Sequence, residues 1–331
     1  PGTIAAIKTN ADLNPHIRQE AVADFAVTGG QLNKIEDTYY LVGGQKFIGR
    51  YNPHGPDHGP GFFQEYTNQI RRFQLSDNGE DLMITMLEPF TDTVNLHRRD
   101  YNLAAQVMPD GSQGLTLFSG VFQYVQDLPF LSSVNITEEG YQVQDNFEQY
   151  FNHYHCAHIS LYSASTNEMH TVFFGGMAQY YQEDGNLMQD DNVPFVNTIA
   201  RVSRTADGTM TEYKLEEEMP ALLGSGAELI ALPDLPVYEN GVLQMDQLTA
   251  DTMELGYIFG GISSSAPNIF WINDGTQSEA NNVIYRLKLV KKINTSTAEI
   301  TDGGLNLNVF PNPTTGTFTI QLNVRKSTTV N

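Results

Sequence analysis

The residues best suited to chemistry fall in one short run, NHYHCAHIS, at Asn152–Ser160. It holds His153, His155, His158 and Cys156. His170 lies close by, so four of the eight histidines fall within 18 residues. In an extended segment His153 and His155 share one face and Cys156 takes the other. A His-x-His pair on a strand suits a divalent or transition metal, and His158 or His170 would complete the set. The same imidazoles in a β core would instead bond backbone carbonyls and water. Residue type leaves both roles open.

Two loops offer weaker chemistry. His54, Asp57 and His58 sit in HGPDHGPG, where a folded loop would hold a metal and closely spaced prolines would make a rigid turn series. Glu183, Asp184, Asp190 and Asp191 sit in QEDGNLMQDDN, without the residue order of an EF-hand. The chain has no G-x-S-x-G, no H-E-x-x-H, no phosphate-binding P-loop and no Cys-x-x-Cys. No reaction is therefore named by a motif, and a binding role is the leading expectation, with a metal-dependent secreted enzyme centred on His153, His155 and His158 as the alternative. Tyr-rich loops, YTNQ, QYYQ and PVYENG, provide stacking and hydrogen bonds to a glycan or protein partner.

Composition narrows the partners. Eighteen basic against 39 acidic residues give a net charge of −21. A surface so acidic repels phosphate backbones, which argues against nucleic acid. With one cysteine no intramolecular disulfide forms, and no apolar run reaches the length of a transmembrane helix. The chain starts at Pro1 with no basic-then-apolar leader, as expected after signal-peptide removal or within a longer parent.

The elements that must position these residues are strands. Helical periodicity is scarce, while short apolar strands ending in a glycine pair recur: FAVTGG to Gly30, YYLVGG with Gly43 and Gly44, LTLFSG with Gly120, HTVFFGG with Gly175 and Gly176, and GYIFGG with Gly260 and Gly261. Alternating segments follow several of them at Asn68–Leu75, Leu128–Ile136, Val193–Val202 and Asn281–Leu289. Two of these share a Pro-Phe entry, which points to internal repetition. The glycines imply close backbone approach between neighbouring inner strands. The surplus over a four-stranded repeat lies in Gly- and Pro-rich loops, where a repeat fold carries variable surface.

These features resemble the Kelch-type β-propeller over residues 20–292, about four blades, on YLVGG, VFFGG, YIFGG and LFSGV. That resemblance implies an all-β propeller of four-stranded blades, with the possibility of a larger parent propeller. The Trp half of the Kelch signature is absent apart from Trp271, and a β-sandwich with coincidental glycine pairs is the alternative. Tyr154, His155 and Cys156 also supply residue types of the copper oxidases that resemble galactose oxidase, but with a single adjacent Tyr-His pair.

The tail differs. A small polar linker at 293–304 precedes LNLNVFPNPTTGTFTIQLNV, which reads as two alternating strands around a stiff turn. Pro311, Asn312, Pro313 and Gly316 resemble the opening of the C-terminal sorting domain of the Bacteroidetes type IX secretion system. Residues 305–331 cover only its first part. The resemblance implies contact with that machinery, passage across the outer membrane, and release or surface attachment of residues 1–292 as cargo.

Overall fold

A computed structural model describes residues 2–9, 11, 20–49, 61–269, 276–291, 307–312 and 317–322. His54, Asp57, His58, Trp271, the linker 293–304, Pro313 and Gly316 lie outside the described residues. Among the described residues a short helix (Gly2–Thr9) and two 3-10 turns (Ala23–Phe25, Met245–Gln247) accompany otherwise all-β structure. No described helix is long and apolar enough to cross a membrane.

The strands form four successive sheets. The first takes β1 (Gln31–Ile35), β2 (Thr38–Val42), β5 (Gln69–Asp77) and β6 (Leu82–Thr91) in that order, while β3 (Gln45–Gly49) and β4 (Phe62–Tyr66) make a hairpin between β2 and β5. The second is a meander of β7 (Asn102–Val107), β8 (Gln113–Phe118), β9 (Ser133–Ile136) and β10 (Tyr141–Gln144). The third runs β11 (His158–Ser163), β12 (Glu168–Phe174), β15 (Thr198–Arg204), β16 (Met210–Glu218), with the hairpin of β13 (Tyr180–Glu183) and β14 (Asn186–Gln189) between β12 and β15. The fourth runs β17 (Leu222–Ala231), β19 (Thr252–Ser264), β21 (Tyr285–Lys291). There β18 (Leu243–Gln244) crosses to pair with β11, and β20 (Ser278–Ala280) pairs with β19. In the tail, β22 (Leu307–Asn312) and β23 (Thr317–Leu322) form an antiparallel hairpin whose β23 lies parallel to β21. Pro311 sits in β22, the edge strand, where its missing amide interrupts no central ladder.

The core lies between sheets. Ile35, Tyr40 and Val42 of the first sheet pack on Leu103, Leu115 and Val134 of the second. Ala104 and Phe118 of the second pack on Cys156, Phe173 and Val202 of the third. Ile159, Val172 and Ile199 of the third pack on Ala227, Ile258 and Leu287 of the fourth. Face-to-face packing of successive antiparallel four-stranded units is the propeller-like solution to burying both faces of a sheet. The middle sheets show it in burial and not in apolarity: β15 is buried at every residue and β12 at all but its first, although both carry polar side chains such as His170, Thr171, Arg201 and Arg204. Among the described residues no strand pair joins the first sheet to the fourth.

Candidate functional site at the glycine-pair end

One register repeats through the four sheets. The residue after each glycine pair meets the segment that opens the same sheet: Thr28 with Gln45, Arg99 with Val121, Ser225 with Ile262, and in the third sheet the Tyr154 amide donates to Met177. The residue following each opener then joins a ladder that steps from sheet to sheet. The Asp100 amide donates to the Gly29 carbonyl at 3.0 Å, His155 to Asp100 at 2.8 Å, and Gly226 to His155 at 2.8 Å. Gly29, Asp100, His155 and Gly226 are therefore equivalent positions on neighbouring inner strands, at the end of the sheets that carries the glycine pairs.

The pairs turn this corner. Gly43, Gly44, Gly120, Gly175, Gly176, Gly260 and Gly261 all have positive φ, and Ser119 takes φ 48° where the other repeats have glycine. At Gly175 crowding adds to conformation, since a Cβ there would stand 2.0 Å from the Leu223 carbonyl oxygen of the next sheet. Gly260 and Gly261 differ from the other pairs in lying within a strand, β19, and not at its end.

Buried side chains lock the same corner. Arg98 is fully buried; its guanidinium donates to the carbonyls of Asn95, Ser119 and Ser132 and lies 3.9 Å from the Phe130 ring centroid. Burial lowers its pKa to about 9. One sheet later the Asn152 amide donates to the equivalent carbonyls, Gly175 and Thr198. Gln31 and Asn102, each opening an inner strand, reach across to the backbone of the next one.

Above the ladder polar and aromatic side chains face solvent in two groups, joined at the Asp100–His155 backbone bond. Arg99 Nη1 lies 3.2 Å from Asp100 Oδ2, Arg99 Nε donates to the Tyr66 hydroxyl at 3.2 Å, and the guanidinium sits 4.3 Å from the Phe122 ring centroid. Tyr66 stacks on His97 at 3.9 Å, and exposed Tyr124 meets His97 edge-on at 5.4 Å. At the other side His155 Nε2 lies 3.3 Å from Glu228 Oε1. Burial raises the Asp100 pKa, while Arg99 and His155 pull it down; burial lowers that of His97. Phe122 holds φ 67°, a conformation that costs a bulky side chain energy and that clusters at binding sites. The array can stack on a flat or apolar face and hydrogen-bond hydroxyls or amides, with both donors and acceptors to hand.

The proposed metal ligands are dispersed. No three of His153, His155, His158 and His170, and no other group of three or more His, Cys, Asp or Glu among the described residues, are placed to share an ion. The segment before His158 is not a strand, because Asn152 at φ 53° breaks the alternation that would align His153 with His155. His153 is fully buried: Nε2 bonds the Gln149 carbonyl at 2.9 Å and Nδ1 accepts the Gln179 amide at 3.0 Å. Burial lowers its pKa to about 4. His158 Nδ1 faces the Cys156 carbonyl at 3.2 Å, and His170 Nδ1 faces Ser203 Oγ at 2.8 Å. The Cys156 thiol is buried and its pKa is pushed up to about 12. Only His155 of the four reaches the array.

No family model matches the chain, and no curated protein matches it. Among solved structures, a chain described as "Structure of YjhT" is similar at 9% sequence identity and a TM-score of 0.35, covering 86% of this chain and 88% of that one.

Sequence reasoning missed Tyr66's neighbours His97, Arg99 and Asp100, and also Glu228. A signal existed in the run HRRD at 97–100, placed just before an inner strand.

Proposed function

We propose that the chain is an exported, Kelch-like binding module whose glycine-pair end receives a glycan outside a Bacteroidetes cell. The observation carrying this reading is the run of side-chain contacts from Tyr124 through His97, Tyr66 and Arg99 to Asp100, with the His155–Glu228 pair one step along the backbone ladder. Aromatic faces beside paired donors and acceptors suit a sugar, which presents an apolar ring face and hydroxyls that both give and take hydrogen bonds. The acidic net charge disfavours nucleic acid as the ligand. The Pro-Asn-Pro-x-x-Gly tail supports delivery by the type IX secretion machinery.

Titration of the folded chain against a glycan panel, read by calorimetry, tests the binding role. Arg99→Ala should weaken the best ligand at least tenfold, about 1.4 kcal/mol. Absence of any ligand on glycan and extracellular-protein arrays would overturn it. Export is tested separately: removing residues 305–331 from the encoding gene should strand the product inside the cell, and unchanged appearance outside would sink that part.

A further inference from the structure

We propose that the cleft between the second and third sheets, at the end away from the glycine pairs, is a second binding site and takes a neutral saccharide.

The cleft has a volume of about 520 Å³, within the range of about 300–1,000 Å³ for small-molecule sites. The turns from β7 to β8, β9 to β10 and β15 to β16 surround it. β8 begins at this end and finishes beside Gly120, so the length of the sheet separates the cleft from the array.

Its walls follow from strand alternation. In β9, Val134 and Ile136 join the core shared with the first sheet, which turns Ser133 and Asn135 toward the third. In β10, Tyr141 and Val143 pack on that same core, which turns Gln142 and Gln144 the other way. Register places Thr116 opposite Asn135, and Asn135 opposite Gln142. A hydroxyl and two amides therefore form one row across the sheet. The other two junctions between sheets close with apolar side chains at their margins, Phe90, Tyr141 and Val143 in one and Leu229, Leu248 and Met253 in the other. Amides at such a junction need partners, and here the protein supplies few.

Thr116 Oγ1 donates to Asn135 Oδ1 at 2.7 Å. The Asn135 amide nitrogen is left without a partner among the described residues, and the exposed Gln142 side chain makes no hydrogen bond there either. On the third sheet Val202 packs toward the second, and Arg204, two residues on, shares its face. Arg204 is only 6% exposed. Its guanidinium donates to the Val107 carbonyl at 2.9 Å and the Thr205 carbonyl at 3.1 Å, with Asn167 Oδ1 at 3.5 Å. These bonds occupy at most three of its five N–H groups. No carboxylate lies within ion-pair distance of it among the described residues. Met108 adds an apolar patch. It folds over Gly114, where a Cβ would collide with its side chain. Exposed Asp110 and Glu139 complete the lining as acceptors.

This set selects the ligand class. A cation would meet Arg204, and an anion would meet Asp110 and Glu139. A neutral sugar ring offers hydroxyls that give and take hydrogen bonds, matching the amides and the guanidinium, and an apolar face for Met108. The site is independent of the one proposed at the glycine-pair end, and either can fail without the other.

The test is titration of the isotope-labelled chain with cellobiose, maltose and N,N′-diacetylchitobiose at millimolar concentration, read by nuclear magnetic resonance of the side-chain amides. Galacturonate and glucosamine serve as charged controls. At least one neutral disaccharide should shift the Asn135 and Gln142 amide signals to saturation, ahead of both controls. Gln142→Ala removes an exposed side chain with no partner, so the melting temperature should hold while affinity falls about three- to tenfold, the worth of one hydrogen bond. Arg99→Ala should leave these shifts unchanged. Three results would each overturn the proposal: no shift of these amides with any neutral probe, preference for a charged control, or full affinity in Gln142→Ala. Shifts that vanish in Arg99→Ala would assign the sugar to the array alone and reject the second site.

Discussion

Arg98 and Arg99 are neighbours in sequence and belong to different regions. Arg98 lies under the ladder, sealed against the carbonyls of Asn95, Ser119 and Ser132. Arg99 lies above it, touching Asp100, Tyr66 and Phe122. The same split separates His153 from His155. The buried region uses polar side chains to satisfy backbone groups where the sheets turn their corners, while the surface above spends the same residue types on solvent-facing pairs. Position relative to the ladder, not residue type, divides the buried structural roles from the exposed array here.

The sharpest way to break this division is to exchange its arginines. Arg98→Ala leaves the Ser119 and Ser132 carbonyls buried without their donor and opens a void beside Phe130. A loss of about 3–5 kcal/mol is expected, as for other broken buried charged networks. Arg99→Ala should cost less than about 1 kcal/mol, since its ion pair is partly exposed. Urea denaturation of both variants checks the contrast, and equal losses would erase it.

Gly175→Ala probes the corner itself. The new Cβ would press on the Leu223 carbonyl, in a backbone conformation at φ 66° that disfavours side chains. A loss of about 2–3 kcal/mol is expected. The same change at Gly208, which has positive φ but open space, should cost less. Parallel thermal melts of the two variants measure the share due to crowding.

Acid should act on the buried region first. His153 titrates near pH 6.5 when unfolded and near 4 when folded. Across that window the unfolded chain takes up a proton that the native chain refuses, so stability contributed by His153 is lost as pH falls. The contribution approaches about 3 kcal/mol below pH 4. Glu212 has the opposite sign: its carboxyl accepts the Tyr150 and Phe151 amides, and burial raises its pKa to about 8. It therefore favours folding as pH falls through 8. Comparing His153→Gln with the parent between pH 7 and 4 isolates the first effect, and parallel curves would refute it.

Much of the fold was legible because glycine pairs and strand alternation report local backbone needs. YLVGG and VFFGG mark corners where both residues must have positive φ and where the next sheet comes close, and both constraints act on single residues. LFSG was harder to read, since Ser119 adopts the same φ without being glycine. The site was less legible. The histidine cluster drew attention by its density, yet three of its members meet only their own surroundings, because Asn152 turns the chain before any strand begins. Asp100, Tyr66 and Glu228 come from three different sheets. Nothing local in the sequence announces that a ladder of backbone bonds will bring them to one end.

The smallest effect tests the region above the ladder most directly. Tyr124 is 65% exposed and touches the array only through the edge of His97. Tyr124→Ala removes no buried contact, so stability should change by less than about 0.5 kcal/mol. If a ligand stacks on the array, losing an aromatic rim contact should weaken it by about 0.5–1.5 kcal/mol, a few-fold to tenfold change in affinity. Tyr124→Phe, which keeps the ring and drops the hydroxyl, should recover most of that loss if stacking dominates and none if a hydrogen bond does. Calorimetric titration of the pair with the same glycan therefore tells which half of the array's chemistry its rim supplies.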